Sequence, residues 1–346
     1  MRMHEMTQNN CLPELHYGWD LARDIDFASQ HSNFLDVIHV FCAEWQGIRS
    51  AVGGLPGQKL ALSEALPVSV VNEIGQQIAA RNPSRIIFHG FSTFMERLVY
   101  HLADWGHSSQ ICIAMHATPA QWHDSFDRHQ ALISLRLASE GRIRKIHILK
   151  RGFDFPSNRL FRPMLFNSGP IGIQTKDTPV QKPTWAAFIP GRPQWTKNVF
   201  TQLLAAAQNE RISRVSMYTD ETADFPESMQ KKIWKLSFTV DRVYQNYLDS
   251  DVTLNVSTTD CHPMINIESQ SVGTPCIRGP LFLDALEHHP YVNLTTVRDV
   301  SSVVEIRGAI DRLRAVAAKE LYDMTLDYQR QTNDVSIQRY LEFLEI

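Results

Sequence analysis

Short runs of apolar and β-branched residues, each too brief to be a helix, alternate along this chain with longer segments carrying apolar residues at helical spacing. Few folds admit that alternation. Residues 34–42 (FLDVIHVFC), 85–89 (RIIFH), 110–115 (QICIAM) and 144–150 (RKIHILK) read as strands, and 68–81, 93–105 and 125–140 as the helices between them. Strand, helix, strand in repetition builds a parallel sheet with crossover helices on its faces. A glycine-rich segment, 47–57, leaves the first strand and is expected to be a loop, the usual place for a ligand. Regularity stops across 152–183, where Pro156, Pro163, Gly169, Pro170, Pro179 and Pro183 break any period, and this stretch reads as a linker. A second series follows, with strands at 185–189, 215–218 and 252–256 and helices at 199–210 and 264–271.

The expected fold is therefore α/β, with two Rossmann-like doubly wound lobes and a ligand cleft between their strand ends. Residues 1–182 would form the N-terminal lobe, with an irregular lead-in at 1–30, and 183–330 the C-terminal lobe. Residues 303–328 and 337–346 read as helical, and 331–346 is expected to cross back to the first lobe. A chain of 346 residues suits two domains of ~150 each.

With 43% apolar and 21% charged residues, the chain can bury a core and is not of the disordered class. A net charge of −3 without basic runs argues against general nucleic-acid binding. Five widely spaced cysteines without a CxxC pair point to reduced thiols rather than a disulfide framework or zinc site. Neither a signal-like apolar region near the start nor ~18 consecutive apolar residues occurs, so the expected location is the cytoplasm, with peripheral membrane contact left open.

The richest segment is 251–279, DVTLNVSTTDCHPMINIESQSVGTPCIRG. A buried strand runs into a polar turn, and Pro263 suits the start of a helix because its missing N–H is one that no helical carbonyl would receive. The free N–H groups of that helix start, in the stretch His262 to Asn266, make a pocket for an anion or the polar face of a sugar. Asp260 and Glu268 flank that start, although their spacing alone carries little weight in a chain with 37 acidic residues.

Strand, serine, Asp-x7-Glu and Gly273-Thr274-Pro275 together resemble the nucleotide-sugar motif of retaining glycosyltransferases of the GT-B fold, especially glycosyltransferase family four, where the first acid is usually Glu. A second block, PGRPQWTKN at 190–198, is similar to that family's Gly-Arg followed by Lys. The stretch 237–257 resembles its short helix before the donor strand, and the three blocks, in the family's order, cover about 120 residues. The resemblance implies that Glu268 holds the donor ribose, Asp260 lies by the sugar hydroxyls, His262 to Ile265 offer backbone amides, and Arg192 and Lys197 clamp the diphosphate. It also implies transfer with retention, without a metal or cofactor, from a nucleoside-diphosphate sugar, UDP- or GDP-linked. The acceptor, whether glycan, lipid carrier, protein or small molecule, stays open.

The first lobe departs from the family's usual Gly-Gly start. His116, ending the strand 110–115, stands where family members carry a histidine near the reacting centre, and is taken as catalytic with Asp260 and Glu268. His89, Trp45, Arg49, Gly53 and Gly54 follow first-lobe strands and are the candidates for the acceptor side, with Trp45 and Trp122 suited to stacking on a sugar. Two other readings share the architecture: a nucleotide-sugar 2-epimerase, and a catalytically silent partner subunit.

Overall fold

The computed structural model describes residues 17–20 (backbone), 32–64, 66–117, 119–148, 165–170, 172–177, 179–218, 225–239 and 242–346. The first sheet contains β1 (Tyr17–Asp20), β2 (Val37–Cys42), β3 (Gln58–Leu62), β4 (Arg85–His89), β5 (Ile111–Met115) and β6 (Lys145–Ile148), in the order β1-β3-β2-β4-β5-β6. All neighbours are parallel except the edge strand β1, which runs antiparallel to β3. Every residue of β2 and of β5 is buried, which is why these strands read as unbroken apolar runs: helices cover both faces of the sheet.

The helices of this half are α1 (Gln46–Gly53), α2 (Val71–Ala80), α3 (Thr93–Leu102) and α4 (Ser125–Ser139). Ser92 caps α3 by accepting from the Met95 amide at 3.2 Å, and Asp124 caps α4 by accepting from Phe126 at 2.8 Å. The second sheet has the order β11-β10-β7-β8-β9 and is parallel throughout, built from β7 (Trp185–Ile189), β8 (Ile212–Met217), β9 (Ile233–Lys235), β10 (Val252–Asn255) and β11 (Cys276–Arg278). Around it lie α5 (Val199–Gln208), α6 (Val243–Leu248), α7 (Met264–Ser271), α8 (Pro290–Thr295) and α9 (Val303–Arg314).

Each sheet has its own apolar core, one around Ile38, Phe88, Leu98 and Ile113, the other around Ile189, Leu203, Leu254 and Ile310. A single long helix, α10 (Ala318–Leu344), leaves the second lobe, and its Tyr340, Phe343 and Leu344 pack with Phe34, Ile87 and Ala114 of the first.

Three expectations are corrected. The glycine-rich segment 47–57 is a loop only from 54 to 57: 46–53 is helical, because burying Ala51 and Val52 outweighs the roughly 1 kcal/mol that each helical glycine costs. The lead-in is not wholly irregular, since β1 lies in it; the rest of it and residues 149–164 of the strand end and linker lie outside the described residues. The two helices expected at 303–328 and 337–346 are instead α9 and an unbroken α10.

Candidate active site

Both sheets end, at the carboxyl ends of their strands, on one cleft. A cavity of about 480 Å³ lies in it, lined from the first lobe by Gln46, Gly47 and Ser50 of α1 and from the second by residues that include Arg192, Lys197, Tyr218, Tyr247, Met264, Ile265 and Glu268. A larger, open hollow of about 680 Å³ around Lys182, Arg211, Arg307 and Arg314 sits at the amino ends of β7 and β8, the wrong end of the sheet for a doubly wound fold's ligand.

The helix start expected at Pro263 is present: Pro263 is the extended residue preceding α7, and Met264 and Ile265 form its first turn against the cavity. Glu268, one turn on, is 8% exposed and accepts a hydrogen bond from the Tyr247 hydroxyl at 3.2 Å and another from the Ser50 side chain. Burial pushes its carboxyl up to about 7, against the two hydroxyls, which favour the ionised form. Ser50 belongs to the first lobe and Glu268 to the second, so this carboxylate ties the two together across the cleft.

Arg192 follows β7 in an exposed turn, lines the cavity and makes no ion pair among the described residues. Lys197 pairs with Asp260 at 2.8 Å; burial would lower its pKa, but the carboxylate beside it more than offsets this and raises it. Asp260 also accepts from the Cys261 amide at 3.0 Å. The turn thus brings Asp260 to the lysine of the other block, 63 residues away, and the acid acts on the cleft through that lysine.

His262 does not line the cavity. It is 1% exposed, with Nδ1 accepting from the Asn167 amide at 3.0 Å and its carbonyl accepting from the Asn167 side chain at 2.7 Å. Its task is to hold the segment that joins the lobes.

In the first lobe the register of β2, β4 and β5 sets three histidines on a diagonal, His89 two places beyond Ile87, which faces His39, and His116 two places beyond Ala114, which faces His89. His39 Nε2 meets the Pro56 carbonyl at 2.9 Å, His39 Nδ1 meets His89 Nε2 at 3.0 Å, and His89 Nδ1 meets His116 Nε2 at 3.0 Å. Burial keeps all three neutral: His39 is lowered to about 3, His116 to about 4, and His89 well below its ordinary value. A carbonyl only accepts, so His39 carries its proton on Nε2, and each neutral neighbour in turn must do the same. The network assigns His116 the Nε2–H tautomer, with Nδ1 bare. The His116 carbonyl accepts from the thiol of Cys261, next to Asp260, at 3.3 Å, which puts this residue where the lobes meet.

His89, expected at the acceptor side, is fully buried in the middle of that chain. Arg49 turns away from the cavity to donate to the Ala43 carbonyl at 3.1 Å. Gly53 ends α1 with open space around it, and Gly54 lies hard against the backbone of Ser168, where a Cβ would stand 2.5 Å from the carbonyl oxygen. Trp45 precedes α1 and is half-buried, its ring edge-on to Phe126 at 5.4 Å, and Trp122 packs against the first core. Sequence reasoning did not name Gln46, Gly47, Ser50, Tyr218 or Tyr247 as site residues, although Gly47 and Ser50 lie in the glycine-rich segment 47–57 and Tyr247 in the stretch 237–257.

The sequence matches no protein-family model and no curated protein. Solved structures share its fold. HepE of Anabaena, in complex with UDP, superposes with a TM-score of 0.58 at 12% identity over 90% of this chain and 100% of its own. Sucrose-phosphate synthase of Thermosynechococcus elongatus gives 0.57 at 11% over 90% and 98%, and the E. coli trehalose-6-phosphate protein bound with UDP-2-fluoro glucose 0.51 at 12% over 89% and 99%. At such identities the likeness is one of fold, and it covers about 90% of the chain: the chain has the GT-B glycosyltransferase fold.

Proposed function

We propose that the protein transfers a sugar from a nucleoside-diphosphate donor to an acceptor hydroxyl, with retention and without a metal. The observation that carries the reading is the convergence of Glu268, Arg192, Lys197 and the first turn of α7 on one cavity between the lobes. Ionised Glu268 would accept both ribose hydroxyls, displacing Ser50. Arg192, the Lys197 ammonium and the amides at the start of α7 would receive the diphosphate, and cations plus a helix dipole can stabilise a leaving diphosphate as a metal does elsewhere. Tyr218, Phe238 and Val243 offer an apolar wall for the base. Asp260, shorter by a methylene than the usual Glu, serves by holding Lys197 at 2.8 Å. His116, with Nδ1 bare, can accept a hydrogen bond from a hydroxyl of the sugar or the acceptor, while the leaving diphosphate takes up the acceptor's proton. The donor base is read as uracil, because structures of this fold are solved with UDP and with UDP-2-fluoro glucose.

The test is a thermal-shift and calorimetric screen of UDP, GDP, ADP, CMP and TDP. UDP is expected to raise the melting temperature, and Glu268→Ala to weaken it about 100-fold, the loss of charge-assisted hydrogen bonds worth ~3 kcal/mol. Arg192→Ala should weaken UDP while leaving the melting temperature of the free protein unchanged, because that side chain is exposed. If none of the nucleotides binds, the chain is a silent partner subunit; if UDP-N-acetylglucosamine alone is converted to its epimer, it is an epimerase.

A further inference from the structure

The segment after β11 lines a second cavity of about 430 Å³, which shares no lining residue with the cleft cavity. Its walls include Leu281, Leu283, Leu286 and Val292, and Arg278 lies at its base. Arg278, the last residue of β11, is 2% exposed. Its Nε and Nη1 have no hydrogen-bond partner, and it forms no ion pair among the described residues; the guanidinium lies over the Tyr328 ring, 5.1 Å from its centre. A guanidinium is always charged, and a charge taken out of water without a partner is one of the costliest arrangements a fold can hold.

The rim strengthens the case. Phe282, 56% exposed, sits at φ 55, a left-handed conformation that a bulky side chain rarely adopts, and it places a large aromatic surface at the cavity's edge. Arg298 and Glu287 also line the cavity, so with Arg278 the formal charge around it is +1.

We propose that this cavity is a binding site, distinct from the cleft, for a monoanionic amphiphile, whose carboxylate would pair with Arg278 and whose apolar tail would lie along Leu281, Leu283, Leu286 and Val292. A carboxylate supplies the acceptor that the planar guanidinium lacks, one negative charge balances the surroundings, and the aliphatic walls exclude a fully polar anion. The inference stands apart from the proposed transfer reaction, and a failure of either leaves the other intact.

The test uses octanoate as probe on the full chain, with octanol and acetate as controls, read by calorimetry and by circular-dichroism melting. Octanoate is expected to bind saturably and raise the melting temperature, while the headless alcohol and the tailless acid bind at least about tenfold more weakly. Arg278→Met, which removes an unpartnered buried charge and keeps the volume, should melt at or above the wild-type temperature and lose the octanoate response. Phe282→Trp, at an exposed position, provides a fluorescence reporter that does not depend on that variant folding: octanoate, but not octanol, should shift its emission to shorter wavelength. Absence of a saturable octanoate response in both the wild type and the Phe282→Trp variant would overturn the proposal. So would an equal response to octanol, or an undiminished one in folded Arg278→Met.

Discussion

Glu268 is the residue on which pH acts most directly. Its folded pKa, raised from 4.5 to about 7, means that the native protein holds a proton the unfolded chain has released between those values. The stability it contributes is therefore complete below pH 4.5 and is lost as pH rises through about 7, by at most ~3 kcal/mol. Melting curves of wild type and Glu268→Gln over pH 4.5–8 should diverge by that slope, the wild type losing stability towards high pH and the variant losing less. UDP binding at pH 6 should release protons, seen as a dependence of calorimetric heat on the buffer's ionisation enthalpy. The histidine row makes a second prediction. Nitrogen-15 spectra of histidine-labelled protein should show His116 protonated on Nε2 and untitrated down to about pH 5, and His39→Phe should release His89 and His116 into tautomer mixtures. Observation of His116 as the Nδ1–H form in the wild type would refute the assignment. None of this is visible in sequence, where three histidines at 39, 89 and 116 are unrelated until strand register aligns them.

Among the elements, those whose burial is apolar were legible and those whose burial is polar were not. β2, β4 and β5 announce themselves as runs of Val, Ile and Phe. The middle of α10 buries Thr325, Gln329, Thr332 and Ser336 instead, so the apolar period lapses where the helix does not. Thr325 and Thr332 return their hydroxyls to carbonyls four residues earlier, at 2.7 and 2.8 Å, while Ser336 donates to the Phe166 carbonyl at 2.6 Å and Asn333 accepts from the Gly169 amide at 2.8 Å. The segment 165–170 has no strand partner for its peptide groups, and the helix supplies them. The motif of the second lobe was readable because it is local, running from Asp260 to Pro275. Even its glycine has a local cause: Gly273 stands at φ +83 with the ring of Tyr322 from α10 laid against it, leaving no room for a Cβ. Gly273→Ala should cost about 2–4 kcal/mol in chemical denaturation, from the left-handed backbone and the clash together. Gly53→Ala, in open space at the end of α1, should be neutral or stabilise by about 0.5–1 kcal/mol. The cross-lobe bond from Ser50 to Glu268 had no sequence signal, since it exists only once the lobes face one another.

Across the whole molecule the two lobes are joined by residues 165–170 and by α10, whose far end is fastened to the first sheet. Arg85 donates to the Leu344 carbonyl at 2.7 Å, Lys145 to that of Phe343 at 2.9 Å, and Glu345 pairs with both Arg144 and Lys145. Hydrogen bonding from Lys145, then from Arg144, lowers the Glu345 carboxyl to about 2, so this attachment is present above pH 4.5 and fades as pH falls through 2. Glu345→Ala leaves the buried Lys145 ammonium with a carbonyl alone. Faster hydrogen exchange over 340–346 and β6, with the second sheet unchanged, is the expected result. Among the described residues no helix is long and apolar enough to cross a membrane.

The two crossings are also bonded to each other, through Ser336 with Phe166 and Asn333 with Gly169, and to the donor turn, through Asn167 with His262. A door with two straps nailed together swings on one pin. Any rotation of the lobes about it would have to carry or break the bonds that tie His262 to Asn167. A second catch holds the lobes away from that pin, where His123 of one meets Trp195 of the other at 5.1 Å between ring centres. For the lobes to swing, that aromatic pair would have to part.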